Sequence, residues 1–149
     1  MNNINKIMVA VAASVLAISA QAQVTVSDAW VRATVAQQKA TGAFMQLKSA
    51  KDVRLLEVRS PVAGVAEIHK MEMADNMMKM RAVDSIDLPA GKAVELKPGA
   101  YHIMLMDLKA QVKDGDVVPV TLVVEGKDKK RETIEVKAIA KPLNQATQH

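Results

Sequence analysis

From Gln23 onward, turn-forming residues interrupt the chain at close intervals. Ser49 to Asp52, Pro61 with the Val62-Ala63-Gly64 connection after it, Ala74-Asp75-Asn76, Pro89-Ala90-Gly91, Lys97-Pro98-Gly99 and Lys113-Asp114-Gly115-Asp116 all act as breaks. Between them the residues run in short apolar and β-branched stretches, several of which alternate with the period of two that marks a half-buried strand. No long helix fits between such breaks. Strands are expected over 24–31, 41–48, 53–60, 66–73, 77–83, 93–96, 101–105, 117–124 and 132–140. This pattern predicts an all-β fold, an antiparallel Greek-key β-sandwich or barrel, with no internal repeat and no second domain. Pro119 lacks a backbone donor, so its strand should lie at an edge or carry a bulge.

Only Trp30, Phe44 and Tyr101 are aromatic. The core must therefore come from Val, Leu, Ile, Ala and Met, with Trp30 expected as an anchor. The net charge is +4, and much of the excess sits at Lys127 to Arg131. That run reads as a solvated hairpin loop. Nucleic acid is not an expected partner, because no stacking aromatics or recognised motif accompany the basic residues. The chain has no cysteine. Disulfides, thiol catalysis and a thiolate blue-copper site are thereby excluded, and so is a lipid anchor on cysteine.

Residues 1–22 read as a signal peptide. Lys6 supplies the positive start, residues 7–18 are apolar apart from Ser14, and Ala20-Gln21-Ala22 is a small-residue cleavage site. The apolar run is short for a membrane span, so no stable membrane insertion is expected after cleavage. The mature domain would cover 23–142, followed by a flexible polar tail at 143–149. Export to a bacterial periplasm follows.

Two stretches concentrate chemistry. Residues 66–82 carry His69 and five of the ten methionines: Met71, Met73, Met77, Met78 and Met80. Residues 101–106 carry His102, Met104 and Met106. In a strand, Glu67, His69, Met71 and Met73 share one face, as do His102, Met104 and Met106. A hairpin turning at Asp75 would place His69 opposite a residue near Met80 or Arg81. Thioether and imidazole are soft-to-borderline ligands that favour Cu(I). Methionine is equally a filler of apolar cores, so composition and spacing leave both readings open.

The spacing His69, ten residues, Met80, twenty-one residues, His102-x-Met104 resembles the signature of the PCuAC family of periplasmic copper chaperones. Asp28-Ala29-Trp30, 60–64, 78–81 and 102–106 resemble the family as well, and the similarity runs to about Pro142. Ala100 departs from a glycine common after Pro-Gly. The resemblance implies a cupredoxin-like β fold and a Cu(I) site made of His69, Met80, His102 and Met104. It implies delivery of copper to the dinuclear centre of cytochrome c oxidase, with subunit II or another periplasmic copper-assembly protein as recipient. Storage or tolerance without a delivery target is the alternative. No enzyme is expected, because Glu67 and Glu72 read as solvent-facing or loop-side. Met77 and Met78 read as support or core, while Met71, Met73 and Met106, outside the signature, are left open between outer neighbours of the site, transient ligands and core. The tail offers His149 alone as a further ligand.

Overall fold

The structure is a computed structural model and describes residues 23–142. The expected signal peptide at 1–22 and the tail at 143–149, with His149, lie outside the described residues. Ten strands follow one another: β1 (Val24–Arg32), β2 (Ala40–Ser49), β3 (Val53–Arg59), β4 (Ala63–Ala74), β5 (Met77–Ala82), β6 (Ile86–Leu88), β7 (Ala93–Leu96), β8 (Tyr101–Leu108), β9 (Val117–Gly126) and β10 (Arg131–Lys141). Helix is absent among the described residues.

The strands form one sheet in the order β5-β4-β8-β2-β1-β10-β9-β3-β6. The short β7 pairs with β2 beyond the end of β8. The sheet coils until β3 packs against β4, which encloses the core. Every pairing is antiparallel except that of β1 with β10. A parallel pair needs a long crossover, and here the whole intervening chain provides it.

The core is aliphatic, as the scarcity of aromatics requires. Leu47, Leu55, Leu88, Leu96, Ile103, Leu105 and Leu122 are fully buried. Trp30 does not anchor it. Simple alternation from Val24 and Val26 would turn Trp30 inward, but the pairing of β1 with β2 slips between Ser27 and Trp30. Asp28 sits there at φ 54, a left-handed conformation that Asp tolerates better than most residues. The extra residue is a β-bulge, and it reverses the alternation. Val31 goes to the core instead, while Trp30 stacks on Phe44 with ring centroids 4.5 Å apart.

Pro119 is not on an edge strand, since β9 lies between β10 and β3. The reason it is tolerated is local. β3 pairs with β9 only from Thr121 to Gly126, so Pro119 has a neighbour on one side alone, Lys137 of β10. Its carbonyl accepts a hydrogen bond from the Ser60 hydroxyl at 2.6 Å.

Strand β8 carries the fold's two tasks on alternate residues. Ile103 and Leu105 point inward, and Ile103 pairs with Ile68 of β4. His102, Met104 and Met106 point the other way. Truncating Ile103 to alanine removes a side chain with no exposure and should cost about 2–5 kcal/mol. Urea denaturation should show the lower midpoint with an unchanged slope.

Candidate metal centre

The site is built on the outer face of β4, β5, β8 and β2. Its geometry starts with a turn. Asp75 and Asn76 have φ of 50 and 60, the positive pair that a two-residue hairpin demands. Ala74 is therefore still in the strand and pairs with Met77. Pairing moves by one position relative to a turn centred on Asp75: Met71 faces Met80, and His69 faces Ala82. A slip of one residue exchanges faces, so this register is what puts Met80 on the side that carries His69.

On the other side of β4, His69 pairs directly with His102 of β8, and Glu67 with Met104. The two imidazole centroids are 5.9 Å apart. Strand β2 then meets β8 with Gly42 opposite Met104. A Cβ at Gly42 would stand 2.7 Å from the Phe44 ring, so the glycine leaves room for the ring to lie beside the site.

Met71, Met80, His102 and Met104 line one cavity of about 320 Å³, together with Phe44 and Arg32. Three of the four residues named by the sequence thus converge directly. His69 does not line the cavity; it stands against His102 from the neighbouring strand. His102 is 5% exposed and Met80 54%, so one donor is set in the sheet and the other is offered from the hairpin. A larger cavity of about 500 Å³ lies between Asp52, Asp87, Glu125 and Lys127, with neither imidazole nor thioether in its wall.

The hydrogen bonds decide which nitrogens are free. His102 Nδ1 is 3.1 Å from the Ala100 carbonyl. A carbonyl can only accept, so Nδ1 carries the proton, and Nε2 of the neutral ring keeps its lone pair. That Nε2 lies 3.2 Å from Met80 Sδ, which has no proton either. His69 Nε2 donates to Glu67 Oε2 at 2.8 Å, which leaves Nδ1 as the unprotonated nitrogen of the neutral ring; it is buried and without a partner. Two imidazoles are thus each held in one tautomer by an oxygen acceptor, with the other nitrogen open. This is the usual preparation of a histidine for metal. Among the described residues no three His, Asp or Glu side chains converge, so a metal here must also take thioethers, a donor set suited to a soft ion.

Other residues around the site are placed differently from what the sequence alone decides, or are newly brought to it. Glu67 contacts His69 rather than only facing solvent, and the i, i+2 strand spacing carried that signal. Met71 lines the cavity opposite Met80. Met73, Met77 and Met78 are not core; they are 65%, 63% and 50% exposed. Arg32 reaches the site because of the bulge at Asp28, and its guanidinium lies 5.6 Å from the Phe44 centroid.

Burial lowers the pKa of His102 below the ordinary value of 6.5; the Ala100 hydrogen bond opposes this, and the charges of His69 and Arg32 add to it. The unfolded chain then takes up this proton at a higher pH than the folded one. Stability contributed by neutral His102 is present above pH 6.5 and is lost as pH falls through the lower folded value. Denaturation of the metal-free protein at a series of pH values should show this decline, and a His102→Gln variant should lack that component.

The chain is similar to proteins already known. The family model described as "Putative lipoprotein LpqE-like" matches residues 24–138. "Putative lipoprotein Lxx21020" of Leifsonia xyli subsp. xyli is 35% identical over 102 residues, 66% of this chain, and the match spans 60% of that protein's length. Among solved structures, the Cu(I) form of DR1885 from Deinococcus radiodurans is 30% identical with a TM-score of 0.55, covering 76% of this chain and 74% of that one. A copper-bound PCuAC domain of PmoF2 shares the fold at 22% identity and a TM-score of 0.61, covering 81% of this chain and 95% of that domain. The cupredoxin-like β architecture expected from the sequence is the one observed.

Proposed function

The chain belongs to the LpqE-like family, and on that footing we propose that it is a periplasmic copper chaperone that carries one Cu(I) at His69, Met80, His102 and Met104. The observation that carries this reading is the approach of two unprotonated donors, His102 Nε2 and Met80 Sδ, to 3.2 Å. A shared cation turns that lone-pair contact into attraction. The Cu(I)-bound relative with 30% identity supports the choice of ion.

The same residues account for release. Thioethers bring no charge and no competing proton, and neutral imidazole brings none until it protonates. No thiolate is available, so a cysteine-containing centre should bind the ion more tightly and draw it away. Arg32 forms no ion pair among the described residues, and its positive charge beside the cavity disfavours a permanently held cation. Met80, on the exposed hairpin, is the ligand a recipient can displace first. The recipient in this reading is the copper centre of cytochrome c oxidase, through subunit II or another periplasmic copper-assembly protein. The protein performs ligand exchange and no turnover, so copper-dependent oxidation of substrates should be absent.

Anaerobic Cu(I) titration against a chelator tests the site. The His102→Ala, Met104→Ala double variant should lose more than about 100-fold in affinity, beyond the cost of removing an outer partner. Unchanged affinity and stoichiometry would sink the assignment. Glu67→Ala, which releases His69 from its tautomer, should weaken binding by about 10–100-fold. A deletion strain grown at limiting copper should assemble less cytochrome c oxidase; normal assembly with lowered copper tolerance would point to storage instead.

A further inference from the structure

The β4–β5 hairpin outgrows the body of the protein. Lys70 pairs with Tyr101 at the start of β8, and beyond it β4 has β5 as its strand partner. All six residues of β5 are exposed, so packing into the core does not select them. Yet the two faces of this ribbon differ sharply. One face pairs Lys70 with Arg81 and Glu72 with Lys79, with Arg81 Nε 3.8 Å from Glu72 Oε2, and ends beside the turn in Ala74 with the exposed, unmatched Met77. The opposite face pairs Met71 with Met80 and Met73 with Met78. Where the sheet no longer covers a core, its inward side has turned to mixed charge, as solubility requires. Its outer side has stayed methionine, with Met73 65% and Met78 50% exposed. That side runs without interruption into Met80, His102 and Met104.

We propose that Met73 and Met78, with Met71 beside them, form an outer thioether site for a monovalent soft ion, adjoining the main site at Met80. The proposal rests on the Cu(I) reading of the main site. Side chains directly opposite on antiparallel strands have Cβ atoms about 4.5–5.5 Å apart, and methionine has enough rotatable bonds for both sulfurs to reach one ion. The next pair, Met71 and Met80, lies two residues along the ribbon, about 7 Å away. An ion on the outer pair is therefore one ligand exchange from the inner set, with Met71 and Met80 in reach of both. The outer site has no imidazole and stands in water, so it binds more weakly than the inner one. It lies where copper would arrive or depart.

Methionine methyl NMR separates the two sites, using protein labelled at the methionine methyl carbons and titrated anaerobically with Cu(I). The first equivalent should shift the Met80 and Met104 methyls. A second equivalent should shift Met73 and Met78, with Met71 moving in both steps. In a Met73→Leu, Met78→Leu variant, which keeps the apolar bulk and removes the sulfurs, the first step should remain and the second should vanish. Met73 and Met78 methyls that stay still through the second equivalent would overturn the outer site, as would full wild-type stoichiometry in the variant. Failure of the main reading looks different, because then Met80 and Met104 do not respond even to the first equivalent.

Discussion

The arrangement of donors depends on two residues that hold no metal. Asp75 and Asn76 both adopt positive φ, and a turn of two such residues sets the register of β4 against β5. With one more or one fewer residue in the turn, Met80 would face the charged side of the ribbon and leave His102 Nε2 without its sulfur neighbour. Asp and Asn accept this conformation because their short polar side chains tolerate the left-handed region. The turn thus converts a local backbone preference into the position of a ligand some distance away. Pairing of β4 with β8 completes the construction by setting His69 beside His102.

Much of this was legible in the residues. Turn residues and alternation disclose the number and kind of elements, and the histidine and methionine spacing discloses which strands must meet. What escaped was phase. The bulge at Asp28 cannot be counted from alternation, because an extra residue in one strand shows itself only against its partner. Trp30 consequently reads as core and lies outside it. The same limit explains the one-position error in the hairpin, where Ala74 reads as turn and is strand. Exposure of Met73, Met77 and Met78 was hidden for another reason: methionine is apolar, and only the tertiary structure reveals that the body of the protein ends before the hairpin does.

Sheet and site share strand β8 without interfering. Inward Ile103 and Leu105 pair with aliphatic Ile68 and Ala66 of β4, and the outward residues meet imidazole, thioether and the Phe44–Trp30 stack. His102 is buried yet satisfied on one side by a backbone carbonyl, so the metal-free protein bears no large cost for keeping its other nitrogen open. The charged groups nearest the centre are Glu67, committed to His69, and Arg32, aligned over an aromatic ring. The centre is electrically spare, which fits the proposed role of handing an ion on.

The parallel pairing of β1 with β10 sets the order in which the molecule can be completed. The first strand to leave the start of the chain finds one of its two neighbours only when the last strand exists. Before that moment β1 and β9 both present open edges, and contacts of such long sequence separation form slowly. Closure of the sheet therefore waits until β10 is available to pair with β1.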